Sequence, residues 1–275
     1  MSNLVSTDWL AAHLNDADLV ILDATWHMAT LKRDAQVEFL AAHIPQARFF
    51  DLDKTSDQNT TLPHMLPKAA DFASAMQHLG IGNATQVIAY DSYGLFSAAR
   101  CWWMFKVFGH TKVSILDGGF RKWRAEGHST AAGETVPVQL GQFTAKLNAA
   151  MVRNLNQVDT TSAQIADARS PARFRGEEPE PHPGVKPGHM PGACNLHYAS
   201  LIAADGTLKP QAELAQSFAN AGIDIRKPII TSCGSGVTAA ILSLALTELG
   251  ATDHALYDGN WAQWGASGMP ISLRA

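Results

Sequence analysis

The chain has 275 residues, 46% hydrophobic and 17% charged, which suits one large or two ordinary domains with cores of their own and needs no disulfide support. A formal charge of -4, without a dense Lys/Arg run interleaved with aromatics, excludes an electrostatic nucleic-acid binder, so an anionic ligand must be captured by local charges. Three cysteines, Cys101, Cys194 and Cys233, form no Cys-x-x-Cys pair, which argues for a reducing compartment and against a Cys-rich zinc site.

In chain order, the opening Met-Ser-Asn-Leu-Val-Ser-Thr-Asp lacks a basic region followed by an apolar core, and no apolar run reaches membrane-span length. A cytoplasmic protein without membrane contact is expected. Ile21-Leu-Asp23-Ala-Thr reads as an apolar strand ending in aspartate, followed by His43-Ile-Pro-Gln-Ala47. Val87-Ile-Ala-Tyr-Asp91-Ser-Tyr-Gly94 is a second strand and loop, leading into an apolar helix with Cys101, Trp102 and Trp103; Leu116-Asp-Gly-Gly-Phe-Arg-Lys-Trp123 follows. The periodicity assigns these tryptophans and Cys101 to the core. Residues 131–150, with Gly133, Pro137 and Gly141, break the rhythm and read as a connection.

The same series then recurs. Ile165-Ala-Asp167-Ala-Arg169, His189-Met-Pro-Gly-Ala193, Ile229-Ile-Thr-Ser-Cys233-Gly-Ser-Gly236 and Tyr257-Asp-Gly-Asn-Trp-Ala-Gln-Trp264 repeat the four motifs in order. Asp23 and His43 lie 20 residues apart, Asp167 and His189 22; Asp91 and Asp117 lie 26 apart, Cys233 and Asp258 25. The chain is therefore a duplication. An α/β class is expected, with two domains over residues 1–132 and 152–275, joined by 133–151, each a mainly parallel sheet with helices on both faces. Cys194, entering an apolar segment, is expected in the core.

Cys233 stands at the end of an apolar strand, before a Gly-bearing loop and the apolar helix-like run from Ala239 to Leu249. Loop N–H groups and a helix N-terminus direct positive dipole at such a sulfur and favour thiolate over thiol. Gly234 and Gly236 permit positive φ and close backbone approach, favouring a nucleophile over an inert buried thiol. At the corresponding place the first half has Asp91. Asp23, Asp167, His43 and His189 occur in both halves and read as structural; Asp117 and Asp258, each before glycine, read as turn residues.

These motifs resemble the tandem rhodanese family, in which a catalytically silent domain precedes a similar one bearing the cysteine; the resemblance covers essentially the whole chain. It implies two tandem rhodanese-like domains. Members acting on thiosulfate usually place Arg and Lys after the cysteine, whereas Cys233-Gly234-Ser235-Gly236-Val237-Thr238 is similar to the mercaptopyruvate branch. Missing both cations penalises a dianionic donor more than a monocarboxylate. The resemblance gives Ser235, His64 and Asp53 roles in proton transfer, and gives Arg173 the capture of the substrate carboxylate. The other reading of Arg173 is a surface arginine paired with Glu177 or Glu178. Where the family has a second arginine this chain has His182, so weaker carboxylate capture that improves as pH falls is expected; Arg175 or Lys186 could supply the missing charge.

The resemblance implies sulfur transfer from 3-mercaptopyruvate through a Cys233 persulfide, held by backbone N–H groups of residues 234–238, to a low-molecular-weight thiol, a thioredoxin-like protein or cyanide. No metal or organic cofactor is called for, and a monomer suffices. Thiosulfate as donor, and a persulfide-carrying regulatory protein with slow turnover, are the alternatives. A Cys-x5-Arg phosphatase is excluded, because position 239 is alanine where a phosphate clamp needs arginine.

Overall fold

The computed structural model describes residues 2–135 and 139–273, so Pro137 of the expected connection lies outside the described residues. In the first unit, β1 (Leu4–Val5), α1 (Thr7–His13), β2 (Leu19–Asp23), α2 (Ala35–Ala41), β3 (Arg48–Phe49), α3 (Leu52–Thr55), α4 (Ala69–His78), β4 (Gln86–Tyr90), α5 (Ala98–Val107), β5 (Val113–Leu116) and α6 (Gly119–Ala125) follow one another. Their strands form one parallel sheet in the order β1-β5-β4-β2-β3. Val87 to Tyr90 of β4 are fully buried, as expected of a central parallel strand covered on both faces. Ile21, Ile88, Leu116, Phe120 and Trp123 make its core with Leu10 of α1.

The second unit repeats the plan with β6 (Val152–Arg153), α7 (Leu155–Asp159), β7 (Gln164–Asp167), α8 (Pro171–Arg175), β8 (Cys194–Asn195), α9 (Gln211–Asn220), β9 (Ile229–Ser232), α10 (Ala239–Glu248), β10 (His254–Tyr257) and α11 (Asn260–Trp264). Its sheet, also parallel, runs β6-β10-β9-β7-β8, the first order shifted by five. The duplication read from motifs is thus a duplication of topology. Helix α10 is apolar on all sides and buried from Ala239 to Leu246, the behaviour of a helix inside a core. The one polar residue of that buried stretch, Ser243, bonds Thr231 at 2.9 Å.

The two units interleave along the chain. Unit 1 comprises Met1–Gln58, Pro67–Asn148 and Ala204–Leu208; unit 2 comprises Asn59–Leu66, Ala149–Ala203 and Lys209–Ala275. In unit 1, Asp117 accepts the amide of Leu208 at 2.8 Å; in unit 2, Asp258 accepts that of Leu66 at 2.8 Å. These two aspartates therefore do more than shape their own turns: each anchors a segment from the other half of the sequence. Among the described residues no helix is long and apolar enough to cross a membrane.

Candidate active site

Cys233 follows β9 directly and is 2% exposed. Its amide donates to Asn260 Oδ1 at 2.8 Å, its carbonyl accepts from Trp261 N at 2.9 Å, and the Gly234 carbonyl accepts from Ala262 N at 3.0 Å. The turn before α11 thus clamps the loop from one side. The amide of Gly236 points back and donates to Cys233 Sγ at 3.1 Å. Gly236 reaches this geometry at φ 89°, where a side chain would be strained. Val237 and Thr238 complete the passage into α10, whose first turn fixes the loop's far end.

His64 belongs to the segment of the first half that joins unit 2. It is 7% exposed, takes φ 56°, and places Nδ1 3.0 Å from Ser235 Oγ. Two residues on, Leu66 N meets Asp258 Oδ2, and Asn260 Nδ2 donates to the Asp258 carbonyl at 2.9 Å. One turn, residues 258–260, therefore holds both the cysteine loop and the histidine segment. Asp53, in contrast, lies in unit 1 on α3, where its carboxylate accepts the Trp26 indole N–H at 3.1 and 3.2 Å.

Arg173 is on α8, behind the Ser170 N-cap and a Pro171 start. Its partner is Glu180, at 2.5 Å from Nη2 and 3.3 Å from Nε, rather than Glu177 or Glu178. Arg169 bonds both oxygens of Asp167, Glu180 Oε1 at 2.8 Å and the Gly188 carbonyl at 2.7 Å, and lies 4.4 Å over the Trp261 ring. Two arginines and two acids thus form a connected network in which Asp167, Arg169 and Glu180 have almost no side-chain exposure. Such a network fixes geometry more than it adds stability. Arg173 is its outermost member at 22% side-chain exposure, and its Nη1 makes no hydrogen bond among the described residues. The guanidinium also abuts Gly234: a Cβ there would meet Nη2 at 3.0 Å.

His182 is half-buried, and burial lowers its pKa from the ordinary value; electrostatic interaction with His64 and with the Arg173 guanidinium acts the same way, and Glu180 opposes them. Arg175 is forked onto Glu177 at 2.8 and 2.7 Å. Cys101 is fully buried on α5, and burial pushes its thiol well above the usual range. Cys194, expected in the core, is only half-buried, because β8 is an edge strand. Motif reading missed Asn260, Glu180 and Arg169. Asn260 had one signal, standing where the first half has Gly119: both positions take positive φ, and Asn is one of the few other residues tolerating it.

Unit 1 carries the same loop with a different occupant. Asp91, fully buried, accepts from the amides of Tyr93 at 2.9 Å, Gly94 at 3.1 Å, Phe96 at 2.7 Å and Ala98 at 2.9 Å. Phe120 N bonds the Asp91 carbonyl at 2.9 Å, as Trp261 N bonds that of Cys233. Burial raises the Asp91 pKa, and the four amides oppose the rise. Among the described residues no group of three His, Cys, Asp or Glu side chains is placed to hold a metal ion.

A family model described as "Rhodanese-like domain" matches residues 6–126 and 150–267. The 3-mercaptopyruvate sulfurtransferase of Escherichia coli (strain K12) is 44% identical over 273 residues, which cover 97% of this chain and 96% of that protein. An Arabidopsis thaliana protein named thiosulfate/3-mercaptopyruvate sulfurtransferase 1, mitochondrial, is 44% identical over 285 residues, 95% of this chain and 75% of the relative. The crystal structure of a 3-mercaptopyruvate sulfotransferase from Escherichia coli aligns with TM-score 0.87 at 41% identity, covering 95% of this chain and 99% of that one.

Proposed function

Because the chain belongs to the rhodanese-like family and carries two copies of its domain, we propose that it is a sulfurtransferase taking sulfur from 3-mercaptopyruvate. The observation that supports this reading best is the contact of His64 Nδ1 with Ser235 Oγ, in the loop that carries Cys233. Residues 152–275 act as the catalytic half and 1–132 as the silent one.

In the first step the Cys233 thiolate attacks the donor sulfur. A sulfur–sulfur bond forms, the carbon–sulfur bond breaks, and its electron pair stays on the carbon as the enolate of pyruvate. The proton of the donor thiol reaches that carbon through Ser235 and His64, leaving pyruvate and an ionised persulfide. In the second step a thiolate acceptor or cyanide attacks the outer sulfur and restores the Cys233 thiolate. The Gly236 amide, already bonded to Sγ, stabilises the negative sulfur in both steps. Arg173 and His182 take the donor carboxylate, and Asp53 keeps the role that the resemblance implies.

The partners are then a small sulfur donor and a thiol or cyanide acceptor, with one chain sufficient and a cytoplasmic location. Cys233→Ser abolishes pyruvate release on this reading, and full activity in that variant overturns it. Thiosulfate is the second donor to test, since the Arabidopsis relative's name joins the two. Side-by-side kcat/KM values decide: a clear thiosulfate preference overturns the donor and spares the fold.

A further inference from the structure

The strands β2 and β7 end in the same turn. Asp23 Oδ1 accepts the amide of Thr25 at 2.9 Å, and Asp167 Oδ1 accepts the amide of Arg169 at 2.9 Å. What differs is the side chain two residues past each aspartate. In unit 2 the Arg169 guanidinium neutralises Asp167 and covers the face of Trp261. In unit 1 the short Thr25 hydroxyl reaches Asp23 at 2.5 Å and extends no further, and the aromatic at the Trp261 position is Phe120.

A cavity of about 680 Å³ opens there, lined among others by Asp23, Thr25, Ser92, Phe120, Arg121 and Arg124. Asp23 is 4% exposed and forms no ion pair among the described residues. Ser92 also lines the cavity, and its Oγ is buried without a hydrogen-bond partner among the described residues. A buried carboxylate without a cation and an unsatisfied hydroxyl are both costly unless something completes them. At the rim, Arg33 is engaged by Glu38 through two bonds of 2.7 Å, whereas Arg121 and Arg124 are exposed, with Arg124 5.8 Å from the Phe120 ring centre. The cavity is therefore acidic at its floor and basic at its mouth.

We propose that this cavity binds a small molecule with a guanidinium at one end and an acidic group at the other. The guanidinium lies against Asp23 and the Phe120 ring, as the Arg169 side chain lies against Asp167 and Trp261 in unit 2, while the acid faces Arg121 and Arg124. All these residues belong to unit 1, so the inference stands apart from the sulfur-transfer reading. Asp23 must be ionised to hold the cation. Burial raises its pKa to about 6, with Asp91 pushing the same way and hydrogen bonds from Thr25 and Tyr90 opposing. Binding thus weakens as pH falls through that value.

The test is calorimetric titration of the whole chain at about pH 8, using free arginine, agmatine, which lacks the carboxylate, and citrulline, which lacks the cationic head. One arginine binds per chain, agmatine binds more weakly, and citrulline gives no binding. Thr25→Arg, which fills the cavity with the side chain unit 2 already has, abolishes arginine binding. Asp23→Asn weakens it about tenfold or more, and Cys233→Ser leaves it unchanged. Citrulline binding as tightly as arginine, retained binding in Thr25→Arg, or no arginine binding at millimolar concentration overturns the proposal. The arginine–citrulline comparison on the unmodified protein decides the matter even if either unit 1 variant fails to fold.

Discussion

Asp258 Oδ2 accepts the amide hydrogen of Leu66 at 2.8 Å, a bond between residues far apart in sequence that fixes the backbone two residues beyond His64. The same turn holds Cys233 through Asn260 Oδ1. Removing the carboxylate releases the histidine segment while the cysteine loop keeps its own clamp. Asp258→Ala should lower kcat about tenfold through lost positioning and stability by about 2 kcal/mol through a lost charged hydrogen bond. Asp258→Asn, which keeps an acceptor oxygen, should restore most of both. Steady-state kinetics with thermal unfolding checks this; an alanine variant with unchanged kcat counts against the positioning role.

Gly234 has an ordinary φ, so alanine there strains no backbone, but its Cβ meets Arg173 Nη2 at 3.0 Å. Because Glu180 holds that guanidinium, it cannot simply swing away. Gly234→Ala should raise the mercaptopyruvate KM about fivefold to tenfold with a smaller change in kcat. A variant that loses kcat and keeps KM would point instead to damage at the Cys233 loop.

His182 has its pKa held below the ordinary value of about 6.5 by burial first and by electrostatic interaction with its neighbours His64 and Arg173 next. It is therefore neutral at neutral pH and becomes a cation only below that value. KM for mercaptopyruvate should fall as pH drops under about 6.5, whereas His182→Arg, charged throughout, should lower KM several-fold at about pH 8 and lose that advantage in acid. No improvement in the arginine variant at high pH sinks the assignment.

Asp23 gives a stability signature of its own. Its pKa is raised from 3.8 to about 6 by burial, so the folded chain binds the proton more tightly than the unfolded one. The stability it contributes is full below about pH 4 and is lost as pH rises toward about 6, a swing of about 3 kcal/mol. Urea unfolding of Asp23→Asn and wild type across about pH 4 to 7.5 should show a flatter pH dependence in the variant. Asp91, also raised by burial, keeps part of the slope in both. Identical slopes would refute the assignment to Asp23.

The fold was legible because duplication leaves two copies of each signal: Ile21–Asp23 with Ile165–Asp167, and Leu116–Trp123 with Tyr257–Trp264, recur with nearly equal spacing. That the two halves share one strand order follows from this repeat; the order itself was seen only in the structure. Cys233 stood out as the candidate nucleophile because the glycines around it announce a loop, and the structure places that loop directly after β9. Glu180 was not, since ion-pair choice between neighbouring acids depends on how the chain folds after α8, and Glu177 turned to Arg175 instead. The anchoring of Leu66 by Asp258 was invisible for a different reason. A backbone amide carries no side-chain signature, and aspartate before glycine is sufficiently explained by its turn.

The Asp91 carboxylate has a consequence for what each half's integrity depends on. In unit 1 the ring of amides is satisfied by carboxylate oxygens that are covalently part of the chain, so its loop keeps one occupant whatever the redox milieu. In unit 2 the Gly236 amide rests on a sulfur, an atom whose charge and size would change with every turnover of the proposed sulfur transfer. On the proposed reading, the order of the Cys233 loop is thereby tied to whether that atom is thiol, thiolate or persulfide. On that reading one half keeps its occupant throughout, while the other registers the sulfur it would carry.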